Sequence, residues 1–129
     1  MRQLVLVPFL IAFPALAFAA AGDDPQARIM GEWQRGDGQA RVRIVPCGKA
    51  LCAINTWIRD PASSEKVGDR LVMSVSPVDD ATMKGKAYDP QRKLTFNVTI
   101  AVASRQRMTT NGCLLGGFLC KSVAWARLD

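Results

Sequence analysis

Residues 93–102 read KLTFNVTIAV, with Leu94, Phe96, Val98, Ile100 and Val102 alternating against Thr95, Asn97 and Thr99. Successive side chains of a strand point to opposite faces, so this pattern predicts a strand with one buried and one wet side. Immediately upstream, DPQR at 89–92 puts Pro90 at the second position of a tight turn, which joins this strand to another over 82–88. Further back, Arg41 and Arg43 alternate with Val42 and Ile44 over 39–45, and Pro46, lacking a backbone donor, is expected to end that ladder. LCAINTWI at 51–58 is a strand with apolar groups on both faces, which leaves its inward face open. RDPASSEKVGDR reads as a surface connection, LVMSV at 71–75 as a short strand broken by SPVDD, and 105–110 and 119–128 as the final strands. Before all of these, GDDPQARIM at 22–30 supplies Asp24 as a helix cap and Pro25 at the first helical position, ahead of Gly31.

The fold class expected is all-β: about seven or eight antiparallel strands closed into a small barrel, with a short N-terminal helical turn. Closure is favoured over an open sheet because it removes edge strands and gives Trp33, Trp57, Trp125 and Phe96 a shared interior. A compact sandwich is the alternative.

Residues 1–21 are of a different kind. A basic start, a continuous apolar run and small residues suited to cleavage after Ala19 or Ala21 make a signal peptide. Pro8 and Pro14 interrupt a run already short of the roughly 20 residues a membrane span needs. The expectation is a periplasmic or secreted single domain over 22–129, with no stable membrane span after cleavage. Cleavage after Ala19 leaves 110 residues, a size at which one core benefits from extra staples. Losing Arg2 with the leader leaves 16 basic against 11 acidic residues, a modest excess that suits either solubility or an anionic partner. Arg41 and Arg43 share one strand face, as do Lys84 and Lys86, and are the candidate contacts to such a surface. No dense basic run or aromatic nucleic-acid motif accompanies them, which argues against nucleic acid.

Four cysteines bracket two glycine-containing loops, Cys47 and Cys52 around GKAL, Cys113 and Cys120 around LLGGFL. An oxidising compartment favours structural disulfides. The simplest pairing is local and contributes roughly 2–3 kcal/mol per loop, although spacing leaves the crossed connectivities open. Neither pair has the Cys-X-X-Cys spacing of a redox site, and the gaps match closed zinc sites poorly.

GEW at 31–33, PCG at 46–48, LC at 51–52, GKAYDP at 85–90 and GCLLGGFLCKSVAWARL at 112–128 together resemble the small exported bacterial DUF2147 family, over nearly the whole chain after the leader. The resemblance implies export and a barrel, and carries no reaction with it. The chain departs from the family pattern at Met83, where tryptophan is frequent, and around Thr95 and Phe96, near a position often held by tyrosine. It is also similar to lipocalin-like (calycin-like) barrels, which implies that Gly31, Trp33 and Arg127 form a closure in which the arginine lies over the tryptophan face.

With no histidine in the chain, the Ser-His-Asp and Cys-His mechanisms are excluded, and the remaining carboxylates define no acid/base pair. Neither cofactor nor metal is expected. The leading expectation is therefore a non-enzymatic envelope binding module for a small apolar molecule or an envelope protein. Trp57, Met83, Phe96 and Trp125 are the residues that either face such a ligand or fill the core. The competing expectation is a solid structural or interaction barrel that presents its basic residues to an anionic envelope partner.

Overall fold

The computed structural model describes residues 3–14, 24–114 and 116–129. Residues 3–14 form neither helix nor strand, and the expected cleavage positions, Ala19 and Ala21, lie outside the described residues. A single turn of helix, α1 (Pro25–Ile29), follows, with Asp24 Oδ1 accepting a hydrogen bond from Ala27 N at 3.0 Å.

Eight strands come next: β1 (Gly31–Arg35), β2 (Ala40–Cys47), β3 (Ala50–Ile58), β4 (Arg70–Pro77), β5 (Thr82–Asp89), β6 (Leu94–Ser104), β7 (Arg107–Leu114) and β8 (Cys120–Arg127). Each pairs antiparallel with the next, and β1 pairs with β8 through Trp33 opposite Arg127, so the sheet closes and has no free edge. Pro46 does not end β2; the ladder continues to Cys47 opposite Ala50. Pairing with β1 stops at Ile44 opposite Gly31, and beyond it the missing proline donor interrupts nothing on that side.

The register sets what points inward. β6 contributes the face read from its alternation, with Val98, Ile100 and Val102 buried, and β2 contributes Val42 and Ile44. Together with Ile29, Trp33, Met73, Met83 and Met108 they fill the end of the barrel nearest α1.

That end is plugged by three elements at once. Trp33 is 0 % exposed and its indole Nε1 donates to Ile29 O at 2.9 Å, tying α1 across the opening. The Arg127 guanidinium lies 4.3 Å from the Trp33 ring centroid. From there Arg127 donates to Met30 O at 2.7 Å, to Arg105 O at 2.8 Å and to Arg28 O. Gly31, at φ +108°, lets β1 start beneath this cluster; a Cβ there would come within 2.8 Å of Arg127 Nη1 and 2.6 Å of Asp129 Oδ2. The closure expected of Gly31, Trp33 and Arg127 is thus present, and it also satisfies carbonyls at the helix end and in the β6–β7 turn.

Arg127→Ala removes the ring contact and leaves three carbonyls without their donor, a loss of about 2–3 kcal/mol. Urea unfolding is expected to show that loss, with Arg127→Lys recovering less than half of it, because an ammonium cannot reach the same acceptors as a planar fork.

Candidate binding cavity

Beyond the plug the interior is open. A cavity of about 400 Å³ runs up to the end of the barrel that carries loops 36–39, 59–69, 90–93 and 116–119. It exists because inward positions at this level are small: Ala53 on β3 and Gly112 on β7 leave room that the larger residues of β6 do not fill. The Phe96 ring lies against the wall over Gly112, where an added Cβ would come within 3.2 Å of it. Trp125 is held by a hydrogen bond from its Nε1 to Thr110 Oγ1 at 2.9 Å across the β7–β8 pair. The Thr110 hydroxyl accepts that bond and keeps its own hydrogen to offer to the cavity.

The rim is polar and internally braced. Arg35, on β1, donates through both Nη atoms to Glu65 at 2.7 and 2.9 Å and through Nε to both Asp37 oxygens at 3.0 Å. Asn55 Nδ2 donates to Lys66 O at 3.1 Å, and Arg92, paired with Asp89 at 3.0 Å, reaches Ser64 O at 3.4 Å. The 59–69 connection is therefore a strap fastened to β1, β3 and the β5–β6 turn. The bond to Glu65 first, then that to Asp37, holds the Arg35 guanidinium further into its charged form. Reciprocally, the Arg35 bond lowers the Glu65 carboxyl below its ordinary value of 4.5, against a smaller opposing effect of burial. Burial alone would raise the Asp37 carboxyl, but the bonds from Arg35 and Gln39 N outweigh it and the net direction is down.

Of the four residues expected to face a ligand or fill the core, Phe96 and Trp125 line the cavity, and Met83, fully buried, belongs to the core beneath it. Trp57 does neither: it is 37 % exposed on the outer wall, with Arg41 stacked 4.8 Å from its ring centroid. A bulge is the cause. Val42 faces Asn55 while Arg41 faces Trp57, so Thr56 is an extra residue and the alternation that carried Leu51, Ala53 and Asn55 inward turns Trp57 out.

The four basic candidates do not form one surface. Arg41 is engaged by Trp57 and Arg43 lies 3.7 Å from Glu32, both on β2, whereas Lys84 and Lys86 are on β5, three strands further round the barrel. Both disulfides are local, Cys47–Cys52 on the β2–β3 hairpin at the plugged end and Cys113–Cys120 on the β7–β8 hairpin at the rim.

Residues 31–127 match the family described as "Uncharacterized protein conserved in bacteria (DUF2147)". The chain belongs to this family. No curated protein and no solved structure matches it. In this DUF2147 member the match begins at Gly31 and ends at Arg127, the two ends of the barrel closure. Among the described residues, no helix is long and apolar enough to cross a membrane.

Because the folded Glu65 carboxyl sits below its unfolded value, the strap's fastening is complete at neutral pH and is lost only as pH falls through that lowered value. Peptide-level hydrogen exchange over 59–69, corrected for intrinsic rates, should stay constant from about pH 7 to 5 and accelerate in stronger acid. Glu65→Gln should speed exchange there by up to about fivefold between about pH 7 and 5, as expected for a partly exposed pair worth no more than about 1 kcal/mol, and the difference should vanish in stronger acid, where the Glu65 carboxyl is itself protonated.

Proposed function

We propose that the protein is a non-enzymatic binding module of the cell envelope, periplasmic or secreted, which takes a small, mainly apolar molecule into the open half of its barrel. The observation that carries this reading is the cavity itself: about 400 Å³, walled by Phe96, Val98, Leu71 and Trp125 and extending to the polar rim. Ligand pockets are typically several hundred Å³, mostly apolar, with a few fixed polar groups that set orientation. The Thr110 hydroxyl is such a group, fixed by Trp125. The leader-like residues 1–21 and two disulfides favour an oxidising compartment. A catalytic reading has less support, since the chain has no histidine and the rim carboxylates are held as anions by arginines rather than raised toward neutral pH. The solid-barrel alternative has less support too, because the space above the core is unfilled and the four side-wall cations are divided between two faces.

Titration with a neutral apolar dye such as N-phenyl-1-naphthylamine is expected to saturate at one dye per barrel. Ala53→Phe, which points a ring into the cavity, should weaken binding at least about tenfold, whereas Ala101→Phe on the exposed outer face should not. Absence of saturable binding, or equal binding by Ala53→Phe at an unchanged melting temperature, contradicts the reading.

A further inference from the structure

We propose that the open rim docks onto an anionic lipid surface, with Phe118 and Leu119 entering the bilayer. These two are 73 % and 76 % exposed, the most exposed large apolar residues among those described in 24–129. They are not alone at this end. Val67, in the strap, and Leu94, at the start of β6, are 64 % and 44 % exposed, so three separate connections carry apolar side chains to the same rim. The Phe118–Leu119 tip is prepared for insertion. Cys113–Cys120 clamps its base, and Leu119 holds φ +60°, a backbone conformation that penalises a side chain, while its own side chain stays in solvent.

Charge decides what the rim faces. Three of its carboxylates are paired internally, Asp37 and Glu65 with Arg35 and Asp89 with Arg92, while Asp69 and Asp60 accept bonds from Lys66 N and Ala62 N and keep their charge. Two of its cations are not so paired. Among the described residues, Lys93 and Lys121 have no carboxylate within ion-pairing distance, although Lys121 is near enough to Asp37 and Glu65 to help lower both carboxyls. Lys121 follows the clamp of the tip directly, and Phe96 opposite Leu114 brings the turn that carries Lys93 beside the 116–119 loop. Apolar tips on separate loops flanked by free lysines suit a fluid bilayer, whose chains accept the tips and whose phosphates accept the ammonium groups, better than a rigid protein groove. Docked this way, the cavity mouth faces the membrane. That an apolar ligand would then pass between the two without crossing water rests on the proposed binding function; the docking does not.

The test is co-sedimentation of the exported protein with vesicles of phosphatidylcholine alone or with about one third phosphatidylglycerol, at low and high salt. Salt-sensitive binding to the anionic vesicles is expected. Phe118→Ser with Leu119→Ser should weaken it about tenfold or more, as should Lys93→Gln with Lys121→Gln. Lys84→Gln with Lys86→Gln, on the side wall, should change it less than about twofold. Melting temperatures and dye binding without vesicles, measured on each variant, separate loss of docking from loss of fold or of the cavity. No binding to anionic vesicles, equal binding to both lipid mixtures, or binding that falls only when the side-wall lysines are replaced overturns the proposal. Dye binding that survives any of those outcomes leaves the cavity reading standing by itself.

Discussion

The structure depends on the stacking of Arg127 over Trp33. A sheet of eight strands closed on itself has two open ends, and the apolar side chains of this barrel fill only part of its lumen. The arginine solves the problem at one end only. Its apolar face covers the indole while its donors reach carbonyls at α1 and the β6–β7 turn, so a charged side chain replaces a layer of core and satisfies three carbonyls at once. Because β1 and β8 are the first and last strands, the same contact that plugs the end also locks the seam of the barrel.

The rest of the architecture follows from having spent the apolar side chains at that end. Met83, Ile100 and Met108 sit directly above the plug, and the next layers turn to Ala53, Gly112 and Thr110, which leave space. The opposite end is covered by polar means instead: a strap held by the Arg35–Glu65 fork and a turn held by Arg92 and Asp89. These surface bonds are individually weak, and they act where local opening is compatible with admitting a ligand. The disulfides are divided between the two ends in the same way, one bracing the hairpin beside the plug and the other the apolar tip at the mouth.

Much of this was legible in the residues before any coordinates. The alternation of β6 announced its buried face, Asp24 and Pro25 the turn of α1, and the resemblance to lipocalin-like barrels the Trp33–Arg127 contact. What escaped did so for identifiable reasons. β1 is five residues long, too short for a period to emerge from GEWQR. Trp57 was displaced by the single extra residue Thr56, and a bulge leaves no mark in an apolar stretch that alternates on both faces. The Arg35–Glu65 fork joins positions thirty apart through a connection that reads as solvent-exposed turn, and no local spacing signals it. Thr110 was within reach: counting by twos from Met108 along β7 carries it inward, had the strand been followed past residue 110 to its pairing with Lys121 and Val123.

A barrel shut at one end by an arginine and hollow at the other is tested most directly by a high-resolution crystal structure of the protein purified from its native cells without detergent. The account predicts electron density for a carried molecule between Phe96, Thr110 and Trp125, above an intact Arg127–Trp33 stack. A lumen filled by its own side chains, or a stack displaced so that both ends stand open, would contradict it.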